Sequence, residues 1–200
     1  MDHLAEDILE FWIGGLDKQG MASAEHQKHW FAKDSEFDKR IANRFGNFLE
    51  PAGMGAFDRW AASPRGRVAE LILLDQFPRN IFRGQARSFY YDKKAQHLCL
   101  EGMRKNEHLE LPVSYAYFLL MPTMHAEDLE IQTLGVAAFS VLHDRNEGEA
   151  KKMMASALDY AERHRAIIQK FGRFPHRNEA LKRESTEEEL AFLKQPGSSF

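Results

Sequence analysis

The chain has 200 residues, of which 44% are hydrophobic and 28% charged, with a formal net charge of −3. This length suits one domain that buries roughly 70% of its unfolded surface without covalent staples. The charge balance argues against a surface dominated by nucleic-acid or membrane binding. The single cysteine, Cys99, excludes an internal disulfide and thiolate-rich metal clusters.

Asp2, Glu6 and Asp7 make the beginning acidic and precede no long apolar run, so no secretory signal is expected. No stretch is long and apolar enough for a membrane span, and a cytoplasmic location is the default expectation. Leu4, Ile8, Phe11 and Trp12 recur at helical spacing, and Gly14-Gly15 stops that helix. Residues 16–33 read as a connector. A second helix, capped by Asp34 or Ser35, carries Phe37, Ile41, Phe45, Phe48 and Leu49 and closes at Pro51. Met54, Phe57 and Trp60 predict a short helix that ends at Ser63-Pro64.

Val68 to Leu74 is apolar on more than one side and fits a central buried helix better than a strand, with Pro78 as its breaker. Residues 92–104 are amphipathic through Ala95, Leu98, Cys99 and Met103. Pro112 suits the first turn of another buried helix, and Pro122 is expected to end it. Helices over 126–142 and 147–171 follow, the second closed by Gly172. Ser185-Thr186-Glu187-Glu188 reads as a capping box before a final helix, and the tail after 195 is expected to fray. With no convincing strand pair and no linker, residues 1–200 are expected to form one all-α domain, an array of antiparallel helices.

Three polar segments stand out at helix ends. The first is Asp75-Gln76-Phe77-Pro78-Arg79-Asn80, followed by Arg83. Its arginines offer planar forks for carboxylate or phosphate, or they tie down a buried Asp75. The second is Met121-Pro122-Thr123-Met124-His125-Ala126-Glu127-Asp128. Thr123 is a candidate cap, Glu127 and Asp128 suit a helix N-terminus, and His125 is a candidate general base. The third is Gly172-Arg173-Phe174-Pro175-His176-Arg177-Asn178, with His164 on the preceding helix. It is either an anion-binding turn or an Arg-rich latch that pairs with Asp75, Glu127 or Asp128. Phe77-Pro78-Arg79-Asn80 and Phe174-Pro175-His176-Arg177-Asn178 echo each other with one residue inserted. His26 and His29 read as a solvated face rather than a metal pair, and Cys99 as an inert core thiol. The familiar nucleotide-binding and hydrolase loops are not in the sequence.

These segments carry a resemblance. Ile8-Leu9-Glu10-Phe11-Trp12, Trp30-Phe31, the run from Leu74 to Asn80 with Phe82-Arg83-Gly84, the segment around His125, and the turn from Gly172 to Asn178 closely resemble the DUF924 family of bacterial proteins of unknown function. The family usually has Ser where this chain has Ala126. The resemblance implies a tetratricopeptide-like helical superhelix, although this chain lacks a clean repeat of about 34 residues. It implies no activity.

The reading that unites these segments places Asp75, Arg79, Arg83, His125, Glu127, Asp128, Arg173, His176, Arg177 and Asn178 on one concave face that binds a small anion or a peptide carboxylate. Two alternatives stay open. One is a protein-docking module with the polar motifs as a structural latch, and the other an enzyme with His125 or His176 as general acid or base. No cofactor and no metal is expected, and homodimerisation has only its base rate in favour.

Overall fold

The computed structural model describes residues 2–198. Among them the regular structure is helical, and the one extended pairing is a single bridge between Leu16 and Ala22. Helix α1 (His3–Trp12) starts where the Asp2 carboxylate accepts the Leu4 N–H, and it buries Ala5, Ile8, Leu9 and Trp12. The expected connector contains α2 (Ala24–Trp30), capped by Ser23. Only Trp30 of α2 is buried, so no apolar period announces the helix. Its indole N–H donates to the Trp12 carbonyl at 2.8 Å. Helix α3 (Ser35–Phe45) is capped by Asp34, as its sequence predicts. Pro51 lies in the first turn of the short α4 (Leu49–Gly53) rather than closing a helix, because that turn needs no N–H there. The helix expected around Trp60 is a 3-10 turn, Asp58–Ala62.

The central buried helix is α5 (Pro64–Leu71), and it does not break at Pro78. It runs through a π-helical turn, Ile72–Gln76, into α6 (Phe77–Ile81), where Pro78 occupies the first turn. Helix α7 (Asp92–Arg104) has its predicted bounds, and the single turn α8 (Glu107–Glu110) follows. Helix α9 (Val113–Met124) is buried at every position. Pro122 lies inside it, and the helix continues to Met124. Thr123 does not cap; its hydroxyl donates to Leu120 O from within α9. Helix α10 (Leu129–Arg145) starts later than predicted because Asp128 is its cap, accepting the Glu130 and Ile131 N–H groups. Helix α11 (Gly148–Phe171) closes at Gly172, whose φ of 69° only glycine adopts without strain. The last helix, α12 (Glu187–Leu193), has its capping box one step later than read, between Thr186 and Glu189. The tail turns back, with the Ser198 hydroxyl donating to Leu193 O; residues 199–200 of the expected frayed end lie outside the described residues.

Helix α9 is the axis of the fold, with α5, α7, α10 and α11 packed around it. An aromatic cluster fills the space beside it. Phe77 stacks on Phe45 at 4.9 Å and meets Trp12 edge-on at 5.6 Å, and Trp12 meets Phe118 at 5.8 Å. One charged pair is buried in this core. Arg67, 0% exposed, donates to both oxygens of Glu107 and to the carbonyls of Leu98 and Ala61.

The α9–α10 contact sets a sharp steric limit. A Cβ on Gly135 of α10 would lie 2.1 Å from the Thr123 hydroxyl of α9. Gly135→Ala raises helix propensity by about 1 kcal/mol, but overpacking costs about 1–3 kcal/mol. The expected outcome is a lower thermal midpoint; a raised midpoint would mean that α10 shifts freely on α9.

Candidate functional site

The three polar motifs meet. Asp75 and Gln76 lie on the π-helical turn, Arg79 on α6, His125 at the C-cap of α9, His164 on α11, and His176 and Arg177 on the 3-10 turn Pro175–Arg177. Asp75 is buried and collects three donors. His125 Nδ1 lies 2.7 Å and Arg79 Nη2 3.1 Å from Oδ1, and Gln76 Nε2 lies 2.5 Å from Oδ2. Burial opposes its ionisation, but His125 and Arg79 outweigh burial and hold the carboxyl well below the usual range. An ionised carboxylate only accepts, so the bond from His125 places a proton on Nδ1.

Asp92, at the first turn of α7, closes the arrangement. Its Oδ1 accepts from Arg79 at 2.8 Å and its Oδ2 from Arg177 at 3.2 Å. The echoed Phe-Pro segments, one opening α6 and one in the 3-10 turn, therefore deliver their arginines to opposite oxygens of one carboxylate. Phe89 lies beneath both guanidiniums, 5.6 Å from that of Arg79 and 4.5 Å from that of Arg177. Phe174 covers Arg177 from its own turn at 4.5 Å. Arg177 also donates to the His125 carbonyl at 3.1 Å. It is 5% exposed, and burial with the neighbouring Arg79 brings its pKa down to about 10. The Nε–H groups of Arg79 and Arg177 are buried and have no acceptor among the described residues.

The histidines are held neutral. Burial, then the Arg79 charge, pushes His125 down against the pull of Asp75. Burial brings His164 down to about 3 and His176 to about 4, with Arg177 adding to both. His164 Nδ1 donates to Tyr160 O at 2.7 Å, and its ring lies 6.5 Å from that of His125. With Nδ1 committed to Asp75, His125 presents the lone pair of Nε2, which no hydrogen bond occupies among the described residues. Such a nitrogen can accept a proton or a hydrogen bond, and the guanidiniums can hold negative charge beside it. Among the described residues no three His, Cys, Asp or Glu side chains are grouped to hold a metal.

Other predicted residues lie outside this cluster, each held by its own partner. Arg83 reaches across to both oxygens of Asp38. Arg173 donates to both oxygens of Glu189. Asp128 is committed to capping α10. Asn178 donates to Ser185 and Glu189. Glu127 borders the cluster, accepting from Arg183 and from the Phe174 N–H. Asp92, Phe89 and Arg183 were not legible as site residues. Asp92 at a helix start reads as ordinary charge complementarity to the helix dipole, and nothing in sequence spacing aims it at two distant turns. Cys99 is buried, and burial pushes its thiol up.

The depressed histidines fix a pH response. Each binds fewer protons folded than unfolded once pH falls below about 6.5, so stability falls as pH drops from there toward their folded values. The loss is up to about 1.4 kcal/mol per pH unit for each histidine in that window. Thermal midpoints measured from pH 7 down to 4.5 should decline steadily, and His164→Gln should flatten the decline. A flat profile in the parent protein would mean that these imidazoles are charged in the fold. Asp92→Ala should cost about 3 kcal/mol, because it removes the one carboxylate that Arg177 pairs with and leaves Arg79 with Asp75 alone; Asp92→Asn, which restores one acceptor, should cost less.

The model of a bacterial protein family of unknown function, DUF924, matches residues 8–197. No curated protein matches the chain. A solved structure of a protein of unknown function from Agrobacterium tumefaciens is similar at 33% identity and a TM-score of 0.79, over 96% of this chain and 97% of that one. The chain therefore belongs to the DUF924 family.

Proposed function

We propose that the protein binds a small anionic group, a carboxylate or phosphate, at the cluster of Asp75, Arg79, His125, His176 and Arg177. The observation that carries this reading is the pair of buried Nε–H groups on Arg79 and Arg177 that have no acceptor among the described residues, beside a histidine with an open Nε2. A buried donor without an acceptor is costly, and an incoming oxygen would satisfy it. The π-helical turn beneath Asp75 points the same way, since such turns gather at functional sites.

Charge counting adds a condition. Arg79 and Arg177 are balanced by Asp75 and Asp92 while the histidines stay neutral. An anion entering this neutral cluster is best accommodated with a proton, and His125 is the group placed to take it. Affinity for the anion should therefore rise as pH falls.

A second reading is the structural latch, favoured by the complete pairing of Glu127 with Arg183 and of Arg173 with Glu189 at the cluster's edge. A thermal-shift screen against acetate, citrate, inorganic phosphate and phosphomonoesters at pH 6 and pH 8 separates the two. A ligand at 100 times its Kd stabilises by about 2.7 kcal/mol, which is roughly 5–10 °C for a chain this size. Binding predicts a larger shift at pH 6, with the pH difference lost in His125→Gln, which keeps a donor for Asp75 but cannot titrate. No shift at either pH, with parent and variant equally folded, would leave the latch.

A further inference from the structure

A second concavity lies on the far part of α9 from His125, between α2 and the first half of α11, and it has nothing to do with the polar motifs. Its volume is about 370 Å³, in the range of small-molecule sites. Met21, Trp30, Tyr117 and Ala157 line it and are themselves buried, so they form the floor. Phe31 stands at the mouth with 63% of its surface exposed, although the core has no need of it. Its ring lies 6.1 Å from Tyr117 and 6.4 Å from Trp30, both edge-on. The three rings are in contact and form one aromatic wall, on which a flat guest can stack.

Two polar features narrow the guest. The first is the Tyr117 hydroxyl. Tyr117 is 8% exposed, yet no hydrogen bond takes its hydroxyl among the described residues. The oxygen is not one of the sealed, unpartnered atoms, so it faces the cleft that the residue lines. A guest ring with a polar edge, an N–H or O–H, would meet it. The second is the rim, where Lys152 and Glu149 sit 2.6 Å apart on the outer face of α11. One cation and one anion side by side complement a group that carries both charges on neighbouring atoms. Apolar floor, polar ring edge and zwitterionic head together describe one compound class.

We propose that this cleft binds a free aromatic α-amino acid whose ring carries a polar edge, an indole or a phenol. The ring stacks against the wall that Phe31, Trp30 and Tyr117 form, its edge hydrogen-bonded to the Tyr117 hydroxyl. The α-carboxylate faces Lys152 and the α-ammonium faces Glu149. The site is independent of the anion-binding cluster.

The test is titration calorimetry of the full chain with L-tryptophan, indole-3-propionate and tryptamine. L-Tryptophan should bind with a Kd of about a millimolar or tighter, a normal yield for a ligand of its size. Each analogue lacks one charge and should bind a few-fold more weakly, in keeping with rim ion pairs. Tyr117→Phe should weaken binding by about two- to tenfold, the value of one hydrogen bond. Ser156 is exposed on the cleft wall, so Ser156→Trp should fill the cleft and abolish binding while the thermal midpoint stays unchanged. His125→Gln should leave tryptophan binding intact, which separates this site from the anion cluster. The proposal is overturned if L-tryptophan gives no binding, if Ser156→Trp binds it as the parent does, or if both analogues bind as tightly as the amino acid.

Discussion

One carboxylate joins the ends of this fold. Asp92 accepts from Arg79 on one oxygen and from Arg177 on the other, and so ties α6, α7 and the turn after α11 into one unit. Arg177, once fixed, holds the carbonyl of His125, and Arg79 shares Asp75 with the His125 ring. Both orientations of that histidine, backbone and ring, are thus set by the two arginines that Asp92 anchors. Buried ion clusters of this kind are a poor route to stability, since well-packed apolar residues of the same volume do as well or better. An aromatic core was available to this chain, with Phe45, Phe77 and Trp12 already packed together. That two arginines and two aspartates instead occupy this junction accords with the proposed anion-binding reading.

The π-helical turn explains how Asp75 comes to serve this junction from inside a buried helix. A regular helix through 64–81 would give Asp75 and Gln76 the same 3.6-residue phase as the apolar Val68, Leu71 and Ile72. The widened turn at Ile72–Gln76 inserts an extra residue, and the polar pair swings toward His125 while Leu73, Leu74 and Phe77 stay in the core. Pro78, which lacks an N–H, follows where the widened turn hands over to α6, so no backbone donor is stranded at that step.

Much of this is legible in the sequence. Helical period with caps and glycine stops placed α1, α11 and the start of α3 closely, and the apolar stripe alone placed α7; α3 ends at Phe45, short of the expected Pro51, because a 3-10 turn and α4 take over the apolar Phe48 and Leu49. Helix α2 was not visible, since one buried tryptophan makes no period. The proline at 122 misled because a buried helix can absorb its lost hydrogen bond. The polar motifs were visible as dense clusters at helix ends, and Asp75, Arg79, His125, His176 and Arg177 do converge. Which of their neighbours joined them was not visible. Arg83 and Arg173 carry the same chemistry as Arg79 and Arg177, yet Asp38 and Glu189 intercept them. Sequence names the forks, and only the tertiary path of the chain decides which carboxylate each one meets.

The two candidate sites share their scaffold. Tyr117 and His125 both belong to the α9 segment, eight residues apart, and Ser156 and His164 stand at the same separation on α11. Along a helix this spacing is about 12 Å, a little over two turns. The floor of the aromatic cleft and the histidine cluster are therefore neighbouring stretches of one helix–helix contact, with Tyr160 of α11 between them, its ring 6.5 Å from that of His164. A guest that pressed α11 away from α9 at one end would alter the packing of His164 at the other. Any such coupling is reciprocal, so an anion that tightens the histidine end must change affinity at the aromatic end by the same factor. Ala157 and Ala161, on the stretch of α11 between the two proposed sites, are both buried, which argues that this factor is close to one.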